Sequence, residues 1–380
     1  MNKKLTALAV ATTLALPAAA SAAQVYGDKL EVYGKFHVSL DYLDSGVTSS
    51  QADANPSTTD GSFSVASNSS RVGFKGKYQL DDQFAALYQV EQEIHVDNSA
   101  AGTWNGRNTF IGLDTGAGKI LVGNHDTPFK SLGGEFLLFG DTAGSWRGIM
   151  GAEANSSGLG TSGDDIFNNR VKNMVMYTGS FGAGQAGTFG VDVLYSASTQ
   201  SGNTGDNNDY GDFSAGLHYK IAGLHLGVAY EHPSTGNAAQ GKLDDIKATR
   251  FGAKYAFGPV VVGGLYEHIT DDLPGGGSGP LDRDAYGANV TYNVTGATAV
   301  MVQALQADDY GNTKNTGATR IALGASHKVN SNLGIYAVYA QTNNDDNAAF
   351  PVTGHDHGDH PATLAGKDPT AFSVGAKLTF

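Results

Sequence analysis

The sequence predicts an all-β protein, a 16-stranded antiparallel transmembrane β-barrel. Three observations carry that prediction: polar and apolar residues alternate with period two at both ends of the chain, short and long connections take turns between the strands, and no apolar run is long enough for a membrane helix.

The chain begins with Met1-Asn2-Lys3-Lys4, a short basic start. An apolar, Ala-rich run follows and closes on Ala20-Ser21-Ala22. This pattern is that of a secretory signal peptide, with residues 1–22 removed and the mature barrel running over 23–380. Cleavage takes Lys3 and Lys4 from a chain whose net charge is already −13, which argues against nucleic-acid binding. There is no cysteine, so neither disulfides nor thiolate metal sites are available to an exported chain.

Composition points the same way. With 52 glycines, 17 tyrosines and 17 phenylalanines but a hydrophobic fraction of only 40%, the chain is rich in β-structure and aromatic-belt residues. The richest later apolar stretch, 257–265, is short and broken by glycine and proline, well below the roughly 18 residues a membrane helix requires.

The first mature segment places Leu30, Val32, Phe36, Val38, Leu40 and Tyr42 on one face and Lys29, Glu31, Tyr33, Lys35, His37, Ser39 and Asp41 on the other. A lysine facing lipid at mid-depth costs about 2–4 kcal/mol, so the charged face must line water. The last segment repeats the pattern, with Phe372, Val374, Ala376, Leu378 and Phe380 opposite Ser373, Gly375, Lys377 and Thr379. Between these ends, short connections are expected at 80–83, 115–118, 179–187, 221–223, 257–259, 294–297 and 329–332. Long polar ones are expected near 44–69, 98–106, 127–168, 199–210, 232–246, 271–282, 308–318 and 343–369. Fifteen connections join sixteen strands, and with both ends on the short-turn side the first strand can pair with the last and remove both edges. Two strands alternate poorly, 107–114 and 297–307, as expected of strands in a subunit interface or beneath an inserted loop.

At this point the chain resembles the trimeric 16-stranded general porins of Gram-negative bacteria. The matching stretches are Val32-Tyr33-Gly34-Lys35, Ser70-Arg71-Val72-Gly73-Phe74-Lys75-Gly76, Asn108-Thr109-Phe110-Ile111-Gly112-Leu113, and Ile120-Leu121-Val122-Gly123 running into Asp126-Thr127-Pro128-Phe129, with Phe380 as last residue. The resemblance implies an outer-membrane homotrimer with short periplasmic turns, long outer loops and a third long loop, 127–168, folded inward as a constriction. It implies a water-filled channel for passive diffusion of ions and small hydrophilic solutes, not an enzyme, with lipopolysaccharide and, through Phe380, the barrel-assembly machinery as partners. It also implies a basic wall at Lys35, Arg71, Arg107 and Arg170, with Phe139 to Ala143 in the inserted loop and Glu135 and Asp141 on its acidic side. Where many relatives carry Gly-Arg-Gln, this chain has Gly123-Asn124-His125, so one basic wall group is missing. Together with the acidic overall balance, that points to a weak cation preference.

Three other motifs are weighed and set aside. Gly182 to Gly187 has dinucleotide-fingerprint spacing, but Phe189, Val191, Val193 and Tyr195 alternate where a helix would have to follow, so it reads as a turn. His355, His357 and His360 sit among aspartates, yet their spacing matches no tetrahedral metal template and a solvated outer loop is the plainer reading. Histidines and acids could pair into a barrel hydrolase, but no nucleophile elbow or zinc helix is present. No cofactor and no metal ligands are expected; acidic clusters such as Asp206 to Asp209, Asp244-Asp245, Asp271-Asp272 and Asp345-Asp346 suit loop solvation or divalent ions at the outer loops. An adhesin or phage-receptor role would be compatible with transport.

Overall fold

The computed structural model describes residues 23–24, 27–97, 105–151, 167–182, 186–197, 211–233, 246–271, 282–311 and 313–380. The expected signal peptide lies outside them, as do the clusters at 206–209 and 244–245 and the middle of the 182–187 turn.

Among the described residues, sixteen spanning strands form one antiparallel sheet. In chain order they are β1 (Glu31–Asp44), β2 (Ser62–Ser67 continued by Arg71–Gln79), β3 (Ala85–Glu93), β4 (Asn105–Gly106 continued by Thr109–Asp114), β5 (Lys119–Asp126), β6 (Arg170–Phe181), β7 (Thr188–Ser196) and β8 (Phe213–Ile221). The second half comprises β9 (Leu224–His232), β10 (Ile246–Phe257), β11 (Val260–Asp271), β12 (Arg283–Asn293), β13 (Thr298–Ala307), β14 (Ala318–Lys328), β15 (Leu333–Asn344) and β16 (Thr370–Thr379). Each strand pairs with its neighbours in sequence, and β16 pairs with β1 from Thr370 opposite Asp44 to Thr379 opposite Lys35. The sheet is therefore closed.

At the seam Phe380 exchanges both main-chain hydrogen bonds with Gly34, at 2.9 and 3.1 Å. The Phe380 ring lies over Gly34 so closely that a Cβ there would stand 2.4 Å from its Cζ atom. Glycine at that position thus lets the Phe380 ring lie over the seam without being pushed aside.

The burial pattern is the reverse of a soluble protein. Leu40, Ile111, Leu217 and Ile321 are more than half exposed, whereas Lys35, His37, Ser39 and Asp41 on the opposite face of β1 are buried. Leaving one such Leu or Phe in water rather than an apolar medium costs roughly 1.5–3 kcal/mol, so a belt of them around the barrel requires lipid.

Short turns at 115–118, 294–297 and 329–332 fall between strands as expected, those at 80–83, 221–223 and 257–259 shift by one residue, and the one expected at 179–187 begins three residues later because β6 runs to Phe181. The first long connection differs more. It contains a short helix, α1 (Ser49–Ala54), and the outer half of β2. The strand breaks at 68–70 because side chains stand in for the ladder there: the Ser70 hydroxyl accepts from His37 N and donates to His37 O, while Asn68 donates to Ser39 Oγ.

The irregular pattern of 297–307 has the expected cause. Met301 and Leu305 point inward and are buried against Leu137, Leu138 and Phe139 of the inserted loop, while Val300 and Val302 face outward.

Candidate functional site: a charged cavity between the inserted loop and the wall

The third long loop enters the lumen through α2 (Pro128–Phe136). Thr127 caps it, accepting from Lys130 N at 3.1 Å, and Pro128 occupies the first turn, where its missing N–H costs nothing. Phe129, Leu132, Gly133 and Phe136 form the buried stripe of this helix. That stripe, with Leu137, Trp146, Ile149 and Met150, packs on inward-facing Ala229, Ala248, Leu265, Ala285 and Leu305. Phe136 lies so near Gly252 that a Cβ would meet its ring at 2.3 Å. The loop therefore hugs the wall made by β9 to β14 and leaves its polar edge to the opposite wall.

Between that edge and β2 to β6 lies a cavity of about 600 Å³. Arg71, Arg107 and Arg170 line it from the wall, and Asp141 lines it from the loop. Lys35 is buried beneath this surface, its Nζ 2.6 Å from Asp141 Oδ2. Burial alone would raise the Asp141 carboxyl, but Lys35 and Arg71 beside it hold it well below the usual carboxylate range. Phe139 and Asp141 both adopt left-handed φ, +64° and +59°, a strain of roughly 1–3 kcal/mol each that the buried Phe139 ring and the Lys35 ion pair offset.

Glu135 is a correction. It does not face the basic row; it points from α2 toward β8 and β9, with Oε2 3.4 Å from His218 Nδ1 and 3.2 Å from His225 Nε2.

Several residues of the site are not recognised from the sequence. Glu91 lies between Arg71, at 3.8 Å, and Arg107, at 2.7 Å, and Glu93 takes a second Arg107 contact at 3.2 Å. Asp126 closes the neck of the loop: its Oδ1 is 3.1 Å from Arg170 and 2.7 Å from Lys130, while Asn108 donates to its Oδ2. Arg147 and Lys130 of the loop, Lys172 of β6 and Lys377 of β16 also line the cavity, alongside Asn124. Alternation alone signals only that these side chains point inward, not at which height or opposite what.

The histidine-rich segment is a second correction, because it is not a solvated outer loop. Residues 355–360 fold into the lumen, where His357 Nε2 lies 3.2 Å from buried Asp41 and Gly358 N donates to Asn68. Asp356 accepts from Asp141 N at 2.7 Å and Ser145 Oγ at 2.8 Å, tying this segment to the inserted loop. The three imidazoles do not converge: His360 pairs with Thr353 and meets His355 ring to ring at a tilt, with centroids 4.3 Å apart, while His357 contacts Asp41.

Comparison with known proteins agrees with this architecture. The Gram-negative porin family model matches residues 5–347. The major outer membrane protein P.IB of Neisseria sicca is 33% identical over 130 residues, which is 34% of this chain and 33% of that protein, so the matched stretch spans about a third of this curated relative. The anion-selective porin from Comamonas acidovorans superposes with a TM-score of 0.74 at 19% identity, over 93% of this chain and 99% of that one. The trimer form of OmpT from Vibrio cholerae superposes with a TM-score of 0.64 at 18% identity, over 93% and 99%. A closed sheet with a lipid-facing belt, an inserted third loop and a family match over nearly the whole length together place this chain in the Gram-negative porin family.

Proposed function

We propose that the chain forms a water-filled channel for passive diffusion of ions and small hydrophilic solutes across the outer membrane, and that it favours anions. The observation that carries the ion preference is the charge lining the cavity. Among the described residues, seven cations (Arg71, Arg107, Lys130, Arg147, Arg170, Lys172 and Lys377) face four carboxylates (Glu93, Asp126, Asp141 and Asp356). Ion preference in a narrow pore follows the charge at its constriction, where low-dielectric walls focus the field, rather than the charge of the whole chain. The overall charge of −13, which by itself suggests cations, is carried largely away from this cavity and screened there within a Debye length of about 8 Å.

Planar-bilayer recordings under a salt gradient test this reading. The reversal potential should have the sign of an anion-preferring pore, and Arg107→Glu and Arg170→Glu should each move it toward cations. A cation-preferring wild type, unchanged by either substitution, overturns it.

Assembly as a homotrimer is part of the proposal, supported by the trimer form described for OmpT of Vibrio cholerae, and it predicts conductance in three coupled steps. So are recognition of Phe380 by the assembly machinery and bridging of lipopolysaccharide through divalent ions at outer-loop acids such as Asp345 and Asp346.

A further inference from the structure

On the side of α2 away from the basic row, Glu135 meets two imidazoles carried by adjacent strands, His218 on β8 and His225 on β9. Glu135 Oε2, His218 Nδ1 and His225 Nε2 are shielded from solvent, and none of them completes a hydrogen bond. Yet the carboxylate oxygen stands 3.4 and 3.2 Å from the two nitrogens. Contact distance without hydrogen-bond direction is what arises when lone pairs aim at a shared point instead of at one another. Donors on a tetrahedral zinc ion, each about 2.0–2.1 Å from the metal, stand roughly 3.3–3.4 Å apart.

Two neighbours strengthen the reading. His218 Nε2 lies 3.3 Å from Asp192 Oδ2, the arrangement in which a carboxylate fixes the tautomer and orientation of a ligating imidazole. The Phe136 ring packs on His225 with centroids 4.6 Å apart, which limits the swing of that ligand. Two ammonium groups flank the cluster: Lys254 on β10 donates to the Glu135 carbonyl at 2.7 Å rather than to its carboxylate, and Lys220 on β8 stands directly opposite His225 in the strand register. Among the described residues, these are the three potential ligands whose donor atoms gather within 4.8 Å.

We propose that Glu135, His218 and His225 form a divalent transition-metal site, best suited to zinc, with Asp192 as the positioning residue of His218. Two neutral imidazoles and one carboxylate are borderline donors that favour zinc over calcium or magnesium. The fourth position is open to water from the lumen, which the partly exposed Glu135 adjoins. The bound ion would rivet α2 to β8 and β9 and so fix the inserted loop from the side opposite the Lys35–Asp141 pair. The site departs from the sequence reading, which expected no metal ligands, and it is independent of the ion preference proposed above.

The test uses the folded full-length barrel in detergent, stripped with chelator and titrated with zinc chloride by calorimetry and with cobalt chloride by visible absorption. The expected result is one ion per chain, with a tetrahedral cobalt spectrum. Glu135→Gln and His225→Gln should each abolish that stoichiometric binding, and Asp192→Asn should weaken it about 10–100-fold. His357→Gln, in the histidine-rich segment, should leave it unchanged. Heat-modifiable migration on gels establishes that each variant is folded. If folded wild type binds no stoichiometric ion, the cluster is an ion pair of His218 with two carboxylates and the proposal fails. It fails equally if Glu135→Gln and His225→Gln keep the site while His357→Gln loses it.

Discussion

The guanidinium of Arg250 is fully buried in the lumen, and its surroundings explain how a loop can be held inside a water-filled barrel. It donates to Glu267, to the carbonyl of Phe129 and to Asn168 Oδ1, and it stacks on the Phe129 ring with Cζ 3.9 Å from the centroid. Glu267 in turn accepts from Gly151 N at 2.9 Å and from Arg283 at 3.3 Å. One carboxylate thereby balances two guanidinium groups and anchors the loop at both its beginning and its end. Removing it takes from two buried cations the carboxylate in direct contact with both, a loss of about 3–5 kcal/mol. Glu267→Ala should accordingly lower the temperature at which the folded band disappears in heat-modifiable migration, and a transition temperature equal to wild type contradicts this account. Nothing in the alternation of β11 singles out Glu267, because its role depends on Arg250 one strand away and Arg283 on the other.

At the scale of elements, two loops meet inside the barrel. The segment 345–369 packs its histidines against β1 and the inserted loop, and its docking depends on pH in a direction that can be worked out. Burial, reinforced by His355, His357, Arg320 and Arg147, pushes His360 down to about 3 from its ordinary 6.5. A base kept neutral in the docked state and free to protonate when released stabilises docking above pH 6.5, and that stabilisation is lost as pH falls toward 3. His357 works the other way: burial disfavours its charge, but Asp41 outweighs that and raises it, so its contribution is complete below the ordinary value and fades at higher pH. Asp356, raised by burial, also favours docking at the acid end. Hydrogen exchange over 345–369 should therefore change between pH 6.5 and 3 in wild type, and His360→Gln should remove the component that accelerates exchange on acidification. Equal acid sensitivity in both proteins rules His360 out as the titrating group.

At the scale of the whole molecule, closure and conduction meet at the β16–β1 seam, where Lys377 of β16 lines the cavity and Lys35 of β1 pairs with Asp141. Closure rests on the β16–β1 seam, where Gly34 admits the Phe380 ring. Gly34→Val forces that ring aside, an overpacking cost of about 1–3 kcal/mol concentrated at the one joint formed by chain ends. The expected outcome is a lower yield of heat-modifiable barrel and an earlier transition. A yield and a transition equal to wild type contradict this account. Conduction rests on the cavity between the loop and β2 to β6, where local cations outnumber carboxylates despite an acidic chain.

What the sequence determined by itself is everything that repeats locally. Period-two alternation identifies the faces of β1 and β16 and turn spacing identifies sixteen strands, because strand pleat and turn length are set by residues close in the chain, whereas the inward fold of the third long loop was legible only through the family resemblance. Placement along the lumen was decided only by tertiary structure. Glu91 between two arginines, Glu135 turned toward His218 and His225 instead of the basic row, and His357 against Asp41 all join residues from separate elements. Their electrostatics depend on distances fixed by sheet register and by how the loops pack, and no local period encodes either.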